Sequence, residues 1–376
     1  MDIIINYVVP FLVVLTILVF VHELGHFLVA RYNNVKVEVF SIGFGAEIFG
    51  FFDKHGTRWK FSAIPLGGYV KMFGEGEVVA TEGREKERDL TEEEKAVSFY
   101  HKRLGQRAAI VFAGPLANFV FAIIVLAGLF FTSGAPKLLA GVGEVQKGSA
   151  ADKAGIVVGD KIIKIAGQEV KWFEDLRQVV IKNPNISLSM EVIRDKTQLT
   201  IIAIPKAKIV EEGGVEKEIG LLGVTPNPEM IEYMNVGPLD AMLMGVERTY
   251  GLTVRILEAV GLMITGAVSK EELGGPLRIA QMSGQMAQGG TASLVFFLAA
   301  LSINLGLINL FPIPMLDGGH LLFYFIEAII GRPLNEKAQE YSFRFGLILV
   351  LLLMVFVTWN DLVQLKVFEY FANLIS

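Results

Sequence analysis

Long apolar stretches limit what this chain can fold into. Residues 5–30, 108–131, 294–330 and 345–359 carry almost no charge. About 20 apolar residues in a helix cross the hydrocarbon core of a bilayer, which is about 30 Å thick. Only 19% of all residues are charged, against about 25% in soluble domains. The sequence therefore predicts a polytopic α-helical membrane protein with four transmembrane helices.

Composition excludes several kinds of chemistry. The chain has no cysteine, which rules out disulfide bonds, cysteine-bound metals and a thiol nucleophile. Its net charge of -5 is spread along the chain without a basic stripe, so we expect membrane lipid around it and no nucleic acid as partner. A metal would have to bind histidine, aspartate or glutamate, and the chain has only five histidines.

The first apolar stretch contains the motif His22-Glu23-Leu24-Gly25-His26. On a helix, residues four apart lie on the same face. The His-Glu-x-x-His spacing is typical of zinc hydrolases, in which the histidines bind the metal and the glutamate transfers protons. Ionisable groups inside a membrane span are costly and mark functional sites. We therefore expect His22 and His26 to bind zinc and Glu23 to be catalytic.

A catalytic zinc has a third protein ligand and an open position for water. The third apolar stretch offers Asp317 and His320. Pro312 and Pro314 interrupt a helix there, so an unwound segment can direct Asp317 at the first stretch. The residues alone leave alternatives open: Asp317 as ligand or as the cap of the next helix, and His320 as the competing ligand or as a group that orients Asp317.

Asn309 precedes this unwound segment. We expect its amide to hold the substrate backbone or a developing oxyanion. The alternative is a hydrogen bond that only packs helices.

Basic residues flank the apolar stretches on one side: Arg31, Lys36, Lys102, Arg103, Arg107, Arg332, Lys337 and Arg344. The positive-inside rule then predicts that both termini are extracytoplasmic. His22 falls near the cytoplasmic side, because it lies about 25 Å along a helix that starts at Ile5.

Two connecting regions carry their own structure. The cytoplasmic loop has four expected strands, at 36–42, 46–52, 58–64 and 68–73, and its apolar content indicates a membrane-associated, re-entrant β-rich loop. Residues 136–205 alternate strands and helices like a PDZ domain (α+β), which binds extended peptides at a sheet edge. The alternative is a domain that only blocks access.

The predicted domain boundaries cover the whole chain except short connections. They are 1–31 for transmembrane helix 1, 32–106 for the cytoplasmic loop, 107–132 for helix 2, 136–205 for one extracytoplasmic PDZ domain, 206–292 for an extracytoplasmic amphipathic-helix region, 293–330 for a broken helix 3, 331–344 for a cytoplasmic loop and 345–367 for helix 4.

Several motifs together resemble the site-2 protease family of intramembrane zinc metalloproteases, of the bacterial RseP type. Besides the histidine motif they are Gly43-Phe44-Gly45, Pro65-Leu66-Gly67-Gly68-Tyr69-Val70-Lys71-Met72, Ala113-Gly114-Pro115-Leu116-Ala117-Asn118-Phe119 and the complete Asn-x-x-Pro-x-x-x-Leu-Asp-Gly pattern from Asn309 to Gly318. The resemblance covers most of the chain, but some relatives carry two PDZ domains and only one is found here.

The resemblance implies that Asp317 is the third zinc ligand. It also implies that Gly43, Phe44 and Gly45 receive the substrate as an added strand, and that the enzyme cleaves single-span membrane proteins in the bacterial inner membrane. Expected substrates are anti-sigma factors or remnant signal peptides, with a peptide C-terminus as partner of the PDZ domain. The alternative is a non-hydrolytic metal-binding scaffold or transporter. A protease with a soluble cytoplasmic site is disfavoured, because apolar residues flank the motif on both sides.

Overall fold

The computed structural model describes residues 4–74, 90–212, 215–266 and 274–365. Parts of the predicted segments 1–31, 32–106, 206–292 and 345–367 lie outside these residues. The chain divides into two compact units. We call residues 1–129 together with 238–376 the membrane unit, and residues 130–237 the insert unit.

The first membrane-unit helix, α1 (Val9–Tyr32), follows a π-helical turn at Ile4–Val8. Together they span 29 residues, about 43 Å at helical rise, which is more than a bilayer core needs. Asn33 caps the C-terminus of the helix, and its side-chain amide donates to Val29 O at 2.8 Å. This local cap leaves the chain free to turn into a strand.

A long β-hairpin follows α1. Its strands are β1 (Val37–Phe52) and β2 (Arg58–Met72), paired antiparallel with repeated register shifts. Residues 39–42 have partners on both sides, at 58–61 and at 68–71, and residues 47–52 pair with 58–62. The four strands expected from the sequence are therefore present as four paired segments, which run together in pairs because Gly43 and Gly45 bend β1 without ending it. The outer part of the hairpin exposes large apolar side chains, among them Ile48 (74%) and Phe52 (65%). Its base packs on α1 through Phe27 and Phe40, whose ring centroids are 5.5 Å apart.

The turn of the hairpin is fixed to α1 by Asp53. Its carboxylate accepts hydrogen bonds from Arg31, Trp59 Nε1 (3.1 Å) and the backbone N–H groups of His55 (2.8 Å) and Thr57 (3.0 Å). Burial raises the pKa of Asp53, but these donors outweigh burial and lower its pKa to about 2. The hairpin is therefore anchored at its tip as well as its base.

Two helices complete the N-terminal part of the membrane unit. They are α2 (Glu92–Val97), which begins with a capping box of Thr91 and Glu94, and α3 (Leu104–Ser133). α3 passes very close to α1, because a side chain at Gly25 of α1 would collide with the Ala113 carbonyl oxygen of α3. Small residues at such a crossing let two membrane helices approach closely.

The insert unit contains ten strands and two helices among its described residues. The strands are β3 (Ala135–Leu138), β4 (Val142–Val145), β5 (Lys161–Ile165), β6 (Gln168–Glu169), β7 (Leu188–Arg194), β8 (Thr197–Ala203), β9 (Lys206–Glu212), β10 (Val215–Leu221), β11 (Val224–Pro226) and β12 (Ile231–Met234); the helices are α4 (Ala150–Ala154) and α5 (Phe173–Lys182). A four-stranded antiparallel sheet has the order β6-β5-β7-β8. It encloses a core that includes Ile162, Met190 and Val192, each 0% exposed.

The insert unit extends beyond the predicted 136–205. The stretch 206–234, assigned from the sequence to an amphipathic-helix region, forms β9 to β12 and pairs back on β3 and β4. Polar and apolar residues alternate over residues 206–209 at the start of β9, and this period of two suits a strand better than a helix.

Five helices complete the described part of the membrane unit. They are α6 (Pro238–Ile264), α7 (Pro276–Gln288), α8 (Thr291–Leu310), α9 (Asp317–Ile330) and α10 (Glu336–Gln364). Asp361 of α10 is buried and accepts from the backbone N–H groups of Gly275 (2.8 Å) and Leu277 (3.0 Å), which caps α7. In the described part of the chain, four helical segments are long and apolar enough to cross a membrane: Ile4–Tyr32, Leu104–Ser133, Thr291–Leu310 and Lys337–Gln364.

Candidate metal centre and active site

The two histidines of α1 face the same point. His22 and His26 are each 8% exposed, and their rings meet edge to face with centroids 4.8 Å apart. Their Nε2 atoms are 3.2 Å apart. Because α1 continues without a break through the motif, its residue spacing alone produces this geometry.

Asp317 lies opposite the two histidines. Its carboxylate oxygens are 3.1 Å from His22 Nε2 and 3.6 Å from His26 Nε2. Asp317 is the first residue of α9, and Leu316 occupies the N-cap position without a side-chain cap. The Asp317 side chain therefore points to the histidines, and it does not cap α9 as one alternative from the sequence supposed.

The three side chains fit a zinc ion. One ligand atom from each of His22, His26 and Asp317 can be chosen so that all lie within 4.8 Å of one another. Two ligand atoms of a tetrahedral zinc are about 3.4 Å apart, from Zn–N and Zn–O distances near 2.1 Å. Here the two Nε2 atoms are 3.2 Å apart, Asp317 Oδ2 is 3.1 Å from His22 Nε2, and Asp317 Oδ1 is 3.6 Å from His26 Nε2. Asp317 Oδ2 is buried without a hydrogen-bond partner, as expected for an atom that awaits a cation.

Residues of α3 contact the Nδ1 atoms of both histidines, on the side of each ring away from Nε2. His26 Nδ1 lies 2.9 Å from Ile110 O, and since a carbonyl only accepts, Nδ1–H donates and Nε2 is free for a metal. The Asn118 amide lies 3.0 Å from His22 Nδ1. A side chain at Gly114 would collide with the His26 ring, so glycine at this position lets α3 approach the motif closely.

A cavity of about 420 Å³ opens beside the three ligands. Glu23 lines it together with His22, His26 and Asp317, so the motif glutamate faces the same space as the metal ligands. Asn309 and His320 line it as well. His320 packs on Phe343 with ring centroids 5.2 Å apart and does not belong to the three-residue cluster.

Among the other residues predicted to bind substrate, Phe44 borders the cavity through its contact with Tyr69. Phe44 stacks on Tyr69, which lines the cavity, with ring centroids 6.2 Å apart. Gly43 and Gly45 adopt φ values of 91° and 83°, which favour glycine. Asn309 Nδ2 donates to Leu305 O at 3.1 Å. The structure therefore brings Asn309 to the cavity and Phe44 to its border.

Sequence reasoning missed several polar groups near the site. Arg107 of α3 and Glu327 of α9 form a largely buried ion pair of 2.5 Å at the cavity wall. Asn118 and Ser302 are both 0% exposed. Their position in apolar stretches was the available signal, since polar residues within membrane spans mark functional sites.

Four helices able to cross a membrane and a buried His-His-Asp centre with a glutamate beside it define a multi-pass membrane metallohydrolase. The model of Peptidase family M50 matches residues 10–353. A protein named zinc metalloprotease from Rhizobium meliloti (strain 1021) is 41% identical over 95% of this chain and 96% of its own length.

Other relatives give the same result. A protein named zinc metalloprotease from Agrobacterium fabrum is 42% identical over 96% of both chains. Protease RseP from Yersinia pestis is 34% identical over 94% of this chain and 98% of its own. Among solved structures, the PDZ domain of an SdrC-like protein from Listeria monocytogenes covers 24% of this chain with 14% identity and a TM-score of 0.19, too weak a likeness to assign a fold.

This chain belongs to Peptidase family M50, the site-2 protease family, and is a zinc metalloprotease. The alternative of a non-hydrolytic scaffold or transporter is therefore not supported. The alignment with the Yersinia protease runs over 456 residues, more than the 376 of this chain. The Yersinia protein thus has residues without a counterpart here.

Proposed function

We propose that this protein cleaves single-span membrane proteins within or near their transmembrane segment. The observation that carries the proposal is the position of the metal centre. Its ligands lie on a helix able to cross a membrane and at the break between α8 and α9, beside a cavity that Glu23 and Asn309 also line. A hydrolytic site in this place suits a peptide bond that itself lies in the membrane.

The roles follow from the geometry of the side chains. His22, His26 and Asp317 would hold zinc, which supplies Lewis acidity and lowers the pKa of a bound water. Glu23 accepts the proton of the attacking water and passes it to the leaving amine. The hydrogen bond from His26 to Ile110 O keeps the imidazole in one orientation throughout.

Substrate binding is proposed for the hairpin and for Asn309. A transmembrane helix hides its peptide bonds in its own hydrogen bonds, so it must unwind before cleavage, and an exposed strand edge replaces the lost bonds. Phe44 and Gly45 suit such an edge because both are exposed, whereas Gly43 is buried against Ile64 O. Asn309 uses one amide hydrogen on Leu305 O and keeps the second hydrogen and its oxygen for the substrate backbone.

The setting we propose is the bacterial inner membrane, with both termini extracytoplasmic and the active site near the cytoplasmic side. The basic residues that flank the apolar helices support this orientation. Anti-sigma factors and remnant signal peptides are the proposed substrates, because they are single-span proteins of the kind that the resemblance implies. The insert unit, as one PDZ-like domain, would bind a peptide C-terminus or limit access by size.

The test uses Glu23→Gln in the purified protein with zinc and a panel of single-span substrates in proteoliposomes. We expect cleavage to fall by at least about 100-fold, because a general base contributes roughly 10²- to 10⁴-fold, while bound zinc stays unchanged. Glu258→Gln, at an exposed position of α6, is the matched control and should cleave normally. Mass spectrometry of the products locates the cut.

Cleavage by Glu23→Gln at the wild-type rate would show that the assigned base is wrong. Products cut only in soluble loops, far from the transmembrane segment, would show that the site does not act on membrane-embedded bonds.

A further inference from the structure

Asn118 is a buried polar residue with no role in the mechanism above. It lies on α3, is 0% exposed, and its carboxamide nitrogen is 3.0 Å from His22 Nδ1. Its Cβ also borders Gly306 of α8: a side chain at Gly306 would lie 3.4 Å from it. Asn118 thus fills the space between the metal-binding helix and α8.

The tautomer of His22 decides how Asn118 can bond to it. A metal at Nε2 requires that Nδ1 carries the proton. At His26 the Ile110 carbonyl enforces this state. His22 instead meets an amide, which can donate through nitrogen or accept through oxygen. As placed in the structure, the Asn118 carboxamide nitrogen faces Nδ1, an arrangement in which Nδ1 could only accept.

Ser302 distinguishes the two amide orientations. Its hydroxyl donates to the Asn118 backbone oxygen at 2.9 Å and lies 3.5 Å from Asn118 Oδ1. A hydroxyl has one hydrogen, so Ser302 presents only lone pairs to the carboxamide. In the placed orientation, Asn118 Oδ1 faces the lone pairs of Ser302 Oγ, which is unfavourable. The carboxamide nitrogen of Asn118 in the same place would donate a hydrogen bond to Ser302 Oγ.

We propose that Asn118 is a positioning residue for His22. The carboxamide turns by 180°, so that its oxygen accepts from His22 Nδ1–H while its nitrogen donates to Ser302 Oγ. In this orientation the His22 imidazole, the Asn118 carboxamide and the Ser302 hydroxyl each have a hydrogen-bond partner. The lone pair of His22 Nε2 then points to the metal site. The inference rests on the metal site of the proposed function, and it adds Asn118 and Ser302 to that site.

The experiment measures metal binding, so it does not depend on cleavage. Purified protein in detergent is stripped with a chelator, then titrated with Zn²⁺ against a chromophoric competitor and with Co²⁺ followed by visible absorption. We expect Asn118→Leu, which keeps the volume and loses the acceptor, to weaken Zn²⁺ binding roughly 10- to 100-fold and to alter the Co²⁺ bands. Asn118→Asp keeps an acceptor and should bind Zn²⁺ within about threefold of wild type.

Two further variants separate positioning from folding. Ser302→Ala removes the partner that selects the orientation, so it should weaken Zn²⁺ binding by a smaller factor, about threefold. Asn304→Ala removes an amide from α8 that is not among the polar partners of His22, which are His26, Asn118 and Asp317; it should leave both titrations unchanged. Recovery in Asn118→Asp shows that the acceptor matters, even if Asn118→Leu folds poorly.

Wild-type Zn²⁺ affinity and wild-type Co²⁺ bands in Asn118→Leu would overturn the proposal, as would equal losses in Asn118→Leu and Asn118→Asp. If Asn118→Leu loses metal as expected but wild-type protein cleaves no membrane substrate, the proposed function fails and the role of Asn118 stands.

Discussion

Individual polar residues are costly inside a membrane protein, and their partners show what they do. Asp317 has a buried oxygen without a hydrogen bond, whereas Asp361 on α10 has three backbone donors. Burial of a carboxylate without donors costs several kcal/mol. A cation therefore explains Asp317, and capping of α7 explains Asp361.

At the same scale, Asp53 provides a prediction about pH. Its pKa of about 2 lies below the ordinary 3.8, so it stabilises the anchored hairpin above about pH 4 and this contribution disappears as pH falls through 2. Trp59 reports on it, because its Nε1–H donates to Asp53. In a Trp172→Phe/Trp359→Phe background we expect Trp59 fluorescence to change with a midpoint near pH 2.

Asp53→Asn in the same background is the control and should show no such transition. A midpoint near pH 4, or the same transition in Asp53→Asn, would contradict the assigned pKa.

At the scale of elements, the close crossing of α1 and α3 shapes the metal centre. Gly114→Ala adds a methyl group that collides with the His26 ring, and overpacking of this kind costs about 1–3 kcal/mol. We expect roughly tenfold weaker Zn²⁺ binding in a competition titration. Gly128→Ala on the same helix meets nothing within 4 Å and should bind Zn²⁺ normally. Equal affinity of both variants would show that the crossing tolerates a methyl group.

The ion pair of Arg107 and Glu327 joins α3 to α9, the helix that Asp317 begins. Their side chains are only 9% and 15% exposed, and Arg107 also packs over the rings of Tyr100 and Tyr324. Glu327→Leu leaves a buried cation unpaired, so we expect a loss of about 3–5 kcal/mol in unfolding free energy. The measurement is SDS-induced unfolding in mixed micelles.

Arg107→Met/Glu327→Leu removes both charges and should be more stable than Glu327→Leu alone, since neutral replacement of a buried pair costs less than breaking it. Glu340→Leu breaks the exposed pair with Arg344 and should change stability by less than about 1 kcal/mol. If the loss of unfolding free energy in the double variant equals the sum of the losses in the two single variants, the two charges are not coupled.

For the molecule as a whole, the division into two units predicts that the insert folds alone. Its core is built from its own residues, all between 140 and 222. We expect a fragment of residues 134–237 to unfold cooperatively by circular dichroism. Ile162→Ala (0% exposed) should cost about 3 kcal/mol, and Ile202→Ala (63% exposed) within about 0.5 kcal/mol. A fragment without cooperative unfolding would show that the insert depends on the rest of the chain.

The sequence by itself determined the local features of this protein. Helix geometry places His22 and His26 on one face whatever surrounds them, and uninterrupted apolar stretches specify helices able to cross a membrane. These features depend on neighbours within a few residues. The motif Asn309 to Gly318 made Asp317 the expected ligand only through the family resemblance, because spacing alone left His320 open.

Only the tertiary structure decided which distant groups meet. Asp317 faces the histidines, Asn118 meets both His22 and Ser302, and Arg107 pairs with Glu327. It also decided how the four expected strands pair with one another and carried 206–234 into the insert unit. Each of these contacts joins residues far apart in the chain and closes a long loop. It therefore depends on how whole surfaces of the protein pack, and no short stretch of sequence encodes that packing.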